Sequence, residues 1–101
     1  MVDSSVSVTE KDFLAGVLEL ATLAGWLVYH TYDSRRSQAG FPDIALVKNQ
    51  RMIFVELKTN AGRVRAAQQT WLDALGQIPC VDVYLWRPRD WDEIEAILTR
   101  V

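Results

Sequence analysis

The residues of this chain that could do chemistry lie close together, in the stretch 40–58, which reads GFPDIALVKNQRMIFVELK. The stretch holds two apolar runs separated by a polar segment, and each run has charged side chains at its outer end. The two runs are Ile44–Val47 and Met52–Leu57. Asp43 precedes the first, and Glu56 and Lys58 end the second. Charged residues are rarely buried in the core of a soluble protein, so these three side chains are the first candidates for a functional site.

A hairpin between the two runs would bring these charges to one point. If it is centred between Asn49 and Gln50, Asp43 stands opposite Glu56, and directly opposed Cβ atoms lie roughly 4.5–5.5 Å apart. Because strand side chains alternate, Glu56 and Lys58 share a face. The sequence therefore predicts two carboxylates and an ammonium at one edge of a sheet. Asn-Gln is a poor match to a type I′ turn, and a one-residue bulge would shift this register.

The chemistry of such a site follows from its charges. Two adjacent carboxylates repel each other, so they must share a proton or bind a cation. Oxygen ligands alone favour a hard ion, Mg²⁺ or Mn²⁺, which can neutralise a phosphodiester and activate a water. Lys58 could orient that water or stabilise the developing charge. This layout is typical of a metal-dependent nuclease. The alternative is structural: Glu56 and Lys58 form an ion pair at a strand edge, and Asp43 caps a turn.

Composition predicts a single globular domain, residues 1–101, with residues 1–6 as a mobile leader. The chain is 50% hydrophobic and 24% charged, which argues against disorder. Its net charge is −2, but the segment 31–65 carries seven basic and three acidic residues, hence +4 against −6 for the remainder. Basic charge therefore surrounds the carboxylate pair, which favours a phosphate-bearing partner. A solvated face of mixed charge is the alternative.

The location expected from the sequence is cytoplasmic. The single cysteine, Cys80, cannot form an internal disulfide, which weakly indicates a reducing compartment. The most apolar region, Phe13–Tyr29, is interrupted by Glu19, Thr22 and two glycines, so it is not interpreted as membrane-spanning. No basic segment followed by a cleavage site precedes it, so no secretory signal is predicted.

The elements that must position the site begin with an amphipathic helix that ends at Gly25. Ser7 and Glu10 fit a capping box at its start, and Thr9 is an equally good cap. Glu10 and Glu19 are both candidates to face the site. The alternative for Glu10 is that it only caps the helix, and the alternative for Glu19 is that it lies on the solvent face; each is as good an explanation.

The remaining elements follow from periodicity and turn residues. They are a strand over Trp26–Thr31, the two hairpin strands, a helix over Ala66–Leu75 stopped by Gly76, a strand over Cys80–Trp86, and a last helix capped by Asp90 with Glu93 as its partner. Consecutive strands exclude a simple alternating βαβ fold. The order αβββαβ plus a C-terminal helix predicts an α/β sandwich with a mixed four-stranded sheet.

The pair Pro42-Asp43 followed by Glu56-Leu57-Lys58 resembles the PD-(D/E)XK nuclease superfamily, whose core order also matches. More specifically, the chain resembles a stand-alone VRR-NUC domain (virus-type replication-repair nuclease) of the phage or bacterial type, from about Thr9 to Leu98. The resemblance implies a restriction-endonuclease-like three-layer sandwich. The segments that carry it are Gly25-Trp26, His30–Ser37, Gly40–Asp43, Glu56–Thr59, Gly62-Arg63, Gln68–Trp71 and Trp86–Pro88.

The resemblance also implies roles for single residues. Asp43 and Glu56 would bind Mg²⁺ or Mn²⁺ together with the backbone carbonyl of Leu57, and Lys58 would be the catalytic lysine. Gln68 would sit beside the active site, although a surface glutamine is the alternative on composition. Glu10 resembles the accessory metal-binding acid of this family and of archaeal Holliday junction resolvases. The candidate DNA-binding residues are His30, Ser34, Arg35, Arg36, Arg63 and Arg65.

One departure from the family pattern affects the second helix. Arg65-Ala66 stands where members usually carry Ser-Pro, so we expect a less well fixed helix start and a role for Arg65 in phosphate binding.

The function implied is cleavage of branched DNA, such as Holliday junctions or flaps, by a homodimer. Four tryptophans would leave apolar surface for the dimer interface. The first alternative is a non-catalytic nucleic-acid-binding or partner-binding module on a nuclease fold, although the complete set of two acids and a lysine argues against it. A restriction-type enzyme is disfavoured, because the chain is short for a separate recognition element.

Overall fold

The computed structural model describes residues 8–31 and 36–100, and these form a four-stranded sheet with helices on both faces. The elements are α1 (Glu10–Leu23), β1 (Leu27–His30), β2 (Ile44–Lys48), β3 (Arg51–Leu57), α2 (Ala66–Gly76), β4 (Val81–Trp86), a 3-10 turn (Pro88–Asp90) and α3 (Trp91–Thr99). The predicted order, the mixed sheet and the C-terminal helix are confirmed. None of the described helices is long and apolar enough to span a bilayer.

The sheet has the order β1-β2-β3-β4. β1 pairs with β2 and β2 with β3 in antiparallel fashion, whereas β4 lies parallel to β3. A parallel neighbour needs a long crossover connection, and α2 provides it. The helix α2 is therefore the next element in the chain after β3, the strand that carries Glu56 and that Lys58 follows.

The hairpin register, on which the predicted site depended, is confirmed. Asn49 and Gln50 have φ values of 49° and 67°, so both central residues of the turn are left-handed, as a type I′ turn requires. Lys48 pairs with Arg51, and the pairing continues without a bulge to Ile44 and Val55. One step further along the same register, Asp43 stands opposite Glu56.

The core lies on one face of the sheet. Alternate residues of β2 and β3 point there and are buried against α1 and α3, namely Ile44, Leu46, Ile53, Val55 and Leu57. Burial of each such side chain contributes roughly 1.5–3 kcal/mol. Trp26 closes the core at one end, where its Nε1 donates a hydrogen bond to the carbonyl oxygen of Leu98 over 2.9 Å.

The other face of the sheet carries α2, with an aromatic cluster between helix and sheet. Phe41 packs edge-on against Phe54 of β3, with ring centroids 5.9 Å apart, and against Trp71 of α2 at 5.1 Å. Gly40 allows this docking, since its φ is +88° and an added Cβ would lie 2.4 Å from the backbone oxygen of Ala67. The segment just before Asp43 is thus packed directly on α2.

The helix caps differ in part from the predictions. Thr9 caps α1, because its Oγ1 accepts a hydrogen bond from the amide of Asp12 over 3.0 Å. Ser7 lies outside the described residues. Glu10 is consequently the first residue of the helix, and not the partner of a cap three residues earlier. Asp90 is the N-cap residue of the last helix, as predicted, but its side chain makes no capping hydrogen bond there: it accepts from the amide of Arg87 over 2.9 Å and closes the 3-10 turn instead.

Candidate active site

Asp43 is fixed by hydrogen bonds from both neighbouring strands. Its Oδ2 accepts from the amide of Leu57 over 2.8 Å, and its backbone oxygen accepts from the amide of Thr31 over 3.1 Å. β2 begins one residue later, so the side chain continues the ladder to β3 where the backbone ceases to do so. This bond holds the carboxylate next to Glu56 without using a flexible loop.

Glu56 is a buried carboxylate that is only partly satisfied. It is 2% exposed. Its Oε2 accepts a hydrogen bond from Nε2 of Gln68 over 2.8 Å and lies 3.7 Å from Nζ of Lys58. Its Oε1 is buried and has no hydrogen-bond partner within the described part of the chain. Since an unpaired buried oxygen is costly, this atom indicates a position meant for a ligand.

The electrostatics of Glu56 are unusual for a carboxyl group. Burial raises its pKa most, the negative charge of Asp43 and a hydrogen bond shared with that carboxyl raise it too, and Lys58 lowers it, so that the pKa comes to about 7. The charge of Glu10 acts weakly in the same direction as Asp43. Near neutral pH this carboxyl therefore holds a proton much of the time unless a cation takes its place.

Gln68 connects the helix α2 to the carboxylates. Its Oε1 accepts a hydrogen bond from the backbone amide of Arg65, the residue that precedes the helix, over 2.8 Å. This bond orients the side-chain amide so that Nε2 faces Glu56. Among the described residues, no side chain caps the first-turn amides of the helix, as the missing Ser-Pro predicted, but the bond from the amide of Arg65 ties the residue before the helix to its first turn.

Lys58 follows β3 directly. Its amide donates to the carbonyl oxygen of Trp86 over 3.0 Å, which extends the parallel pairing with β4 by one step. Its side chain is 12% exposed and makes an ion pair with Glu56. The predicted convergence of two carboxylates and an ammonium is thus what the structure contains.

A cavity of about 490 Å³ opens over these groups. Predicted site residues form much of its wall, namely Glu10, Asp43, Glu56, Lys58, Arg65 and Gln68. Sequence reasoning missed Thr31, Ser37 and Gln38, which also line it. Their position in the sequence could have indicated this, because they lie on either side of the loop that leads into Gly40–Asp43. A loop that ends at Asp43 must pass close to the site.

The other predicted residues are not all brought to this cavity. Arg36, Arg63 and Glu19 are exposed and do not line it. His30 pairs with Ile44 and so points to the core face, whereas its neighbour Thr31 reaches the cavity. Ser34 and Arg35 lie outside the described residues.

The donor atoms of the site fit a hard divalent cation. Glu56 offers the unpartnered Oε1 beside the carboxylate of Asp43, and the carbonyl of Leu57 follows along the same strand. Oxygen ligands of this kind are those that Mg²⁺ and Mn²⁺ prefer. Among residues 8–31 and 36–100, no three acidic, histidine or cysteine side chains are grouped closely enough to hold a metal together. Glu10 therefore stands on the cavity wall without completing a three-acid cluster.

Comparison with known proteins agrees with this geometry. Residues 7–90 match the VRR-NUC domain, a span that contains all the elements from α1 to β4 and every residue named at the site. No curated protein and no solved structure gives a significant match. The match covers most of the chain, and the paired acids, the lysine and the glutamine lie within it. The chain belongs to the VRR-NUC domain family, a nuclease-type family with DNA as its partner.

Proposed function

We propose that this protein is a Mg²⁺- or Mn²⁺-dependent DNA endonuclease that hydrolyses phosphodiester bonds in branched DNA, such as Holliday junctions or flaps, and acts as a homodimer. The observation that carries the proposal is the buried, half-satisfied Glu56 beside Asp43. Its Oε1 lacks a partner within the described residues, while Gln68 and Lys58 hold Oε2. Two adjacent buried carboxyl groups need a shared proton or a cation, and a cation would take the position beside Oε1.

The metal would be held by Asp43, Glu56 and the carbonyl of Leu57. When bound, such an ion neutralises phosphate charge and lowers the pKa of a water molecule. During hydrolysis a water adds to phosphorus and one P–O bond breaks, so negative charge grows on the phosphoryl oxygens. Lys58 would donate hydrogen bonds to these oxygens or to the water; its ammonium, 3.7 Å from Oε2 of Glu56, supports this role. Gln68 keeps Glu56 in its rotamer and leaves Oε1 for the ion.

Three arginines support a DNA partner. Arg65 lines the cavity. Arg36 and Arg63 are exposed and lie in chain segments next to residues that line it. Exposed guanidinium groups bind phosphates through bidentate hydrogen bonds and fix the position of the backbone without reading sequence. These arginines therefore suit a nuclease that selects its substrate by shape rather than by base.

Dimerisation is supported by apolar surface on the edge strand β1. Leu27 and Tyr29 are 74% and 62% exposed, and Val47, which pairs with Leu27, is 40% exposed on the same face. The tryptophans contribute less to such a surface than expected, because Trp26 and Trp86 are buried and Trp71 and Trp91 are half-buried. Two sites related by a two-fold axis could cut two strands of one junction.

The test is a divalent-metal titration of cleavage over duplex, flap, splayed and four-way DNA substrates. We expect Mg²⁺- or Mn²⁺-dependent cutting that favours the branched substrates and that Asp43→Asn, Glu56→Gln and Lys58→Met each abolish. Glu19→Gln is the matched control, since it changes an exposed acid of α1 outside the cavity and should cut like the wild type. Size-exclusion chromatography of the intact protein shows whether it is a monomer or a dimer.

Other outcomes would point elsewhere. Salt-sensitive binding without cleavage under any metal would identify a non-catalytic binding module. Cutting of linear duplex at one fixed sequence would indicate a restriction-type enzyme. Full activity in all three site variants would exclude the proposed residues from the reaction.

A further inference from the structure

The loop after Lys58 closes into a turn that an arginine holds shut. The amide of Gly62 donates to the carbonyl oxygen of Thr59 over 3.1 Å, so residues 59–62 form a four-residue turn. Nη1 of Arg87 donates to both ends of it, to the oxygen of Thr59 over 2.6 Å and to that of Gly62 over 2.7 Å. Hydrogen bonds from a charged donor are about twice as strong as neutral ones. One guanidinium thus fixes the distance between two carbonyl groups.

The same turn lies against the side chain of Lys58. A Cβ added to Gly62 would lie 3.5 Å from Cβ of Lys58 and 3.0 Å from Oγ1 of Thr59. The backbone of the turn therefore packs beside the first carbon of the lysine side chain. A lysine side chain is long and has many rotamers. Packing of the turn against its Cβ therefore restricts the positions that its ammonium can reach.

Arg87 is itself held firmly. It directly follows β4, whose last residue is level with the end of β3. Its amide donates to Oδ2 of Asp90 over 2.9 Å. The amide of Arg89 donates to Oδ1 of Asn60 over 3.1 Å, a second link between the 3-10 turn and the turn 59–62. Arg87 and the turn 59–62 that it holds are thus anchored at the end of the sheet.

We propose that Arg87 is a positioning residue for Lys58: by holding the turn 59–62 closed, it keeps the lysine ammonium beside Glu56. The inference rests on the proposed nuclease activity, in which the place of that ammonium matters. Arg87 does not line the cavity, so it acts through the turn and not by touching the reacting bond.

The test compares Arg87→Gln with Arg89→Gln in the full chain. Arg89 is the matched control, because it is exposed and its link to the turn comes from its backbone. On a four-way junction with Mg²⁺, we expect Arg87→Gln to lower kcat by about 10–100-fold, the usual effect of losing a supporting hydrogen bond, with KM within about twofold. Arg89→Gln should change neither. Arg87→Lys keeps the charge and should recover part of kcat.

A second readout does not depend on cleavage. Hydrogen exchange at the amide of Gly62 should accelerate in Arg87→Gln and stay at the wild-type rate in Arg89→Gln. If Arg87→Gln does not fold, Gly62→Ala tests the same link, since it keeps the arginine but places a Cβ 3.0 Å from Oγ1 of Thr59, so that the turn must shift; its kcat should fall at constant KM.

The outcomes separate the two proposals. A wild-type protein that cuts no DNA overturns the proposed function. A wild-type protein that cuts, combined with an unchanged kcat in the folded variants, overturns only the role of Arg87. A raised KM at constant kcat also overturns it, because that result indicates a direct contact with DNA.

Discussion

Nε2 of Gln68 donates a hydrogen bond to Oε2 of Glu56 over 2.8 Å, which ties the helix after the hairpin to the carboxylate inside it. The same side chain also accepts from the amide of Arg65 through Oε1. One glutamine thus bonds both the residue that precedes its helix and a buried acid, so on the proposed function we expect stability and activity to depend on it together.

Gln68→Ala should therefore reduce both. Loss of the hydrogen bonds that its side chain makes to Glu56 and to the amide of Arg65 predicts ~1–3 kcal/mol of destabilisation, and cleavage should slow about 10–100-fold. Gln69→Ala is the matched control, because Gln69 is exposed on the same helix and its side chain bonds to Asp73 rather than to a residue of the site. Urea unfolding and single-turnover cleavage measure the two effects. Equal losses in both variants would contradict the role of Gln68.

The stability of the metal-free protein should fall as pH rises towards neutrality. The pKa of Glu56 is about 7 in the folded chain against 4.5 for an ordinary glutamate, so the folded state binds its proton more tightly than the unfolded state. This contribution is complete below pH 4.5 and is lost as pH rises through 7, amounting to ~3 kcal/mol. Urea unfolding in EDTA from pH 4 to 8 measures it.

The control for that experiment is a pair of variants. Glu56→Gln should remove this pH dependence, because a glutamine binds no proton in the range. Glu19→Gln changes an exposed glutamate and should keep the wild-type slope. If Glu56→Gln showed the wild-type slope, the raised pKa of Glu56 would not be its cause.

Divalent ions should stabilise the protein more strongly at pH 8 than at pH 6, because the ion and the proton compete for Glu56. We expect Mn²⁺ to raise the melting temperature of the wild type and to have little effect on Asp43→Asn. Glu10→Gln should keep most of the shift, because Glu10 lines the cavity without joining a three-acid cluster among the described residues. A shift that Glu10→Gln abolished would make Glu10 a principal ligand.

Gly40 and Gly76 offer a matched test of how Asp43 is placed. Gly40→Ala should destabilise the protein by several kcal/mol and slow cleavage, since its Cβ would lie 2.4 Å from the oxygen of Ala67 and its φ is +88°. Gly76→Ala meets no atom within 4 Å at the end of α2, and it should be neutral or stabilising by up to ~1 kcal/mol. Thermal melts and cleavage rates compare the two. Equal stability of both variants would show that the loop does not need its contact with α2.

Much of the site could be predicted because it depends on local rules. Strand alternation and a two-residue turn are enough to place Asp43 opposite Glu56, and the structure has that register although Asn49-Gln50 is a weak turn pair. The fold class followed similarly from the order of apolar patterns and from the resemblance.

What could not be predicted depends on contacts distant in sequence. The contact of Gln68 with Glu56, the carboxyl of Asp90 that turns back to Arg87, and the loop side chains around the cavity all depend on how elements pack. His30 illustrates the same limit, because a single shift in strand phase decides which face of the sheet its side chain is on. Periodicity does not fix that phase for a strand as short as β1.

The distances along the chain between bonded partners imply an order of assembly. Asp43 and Leu57 are 14 residues apart, so their bond forms with the hairpin, whereas the bond from Arg87 to Thr59 spans 28 residues and awaits the docking of β4. Contacts between near neighbours form earlier, because closing a short loop costs less entropy. We therefore expect a folding chain to acquire its paired acids before its ordered lysine. Pulse-labelled hydrogen exchange should find the amide of Leu57 protected before that of Gly62. On the proposed function, a partly folded chain would then bind metal before it could cut DNA.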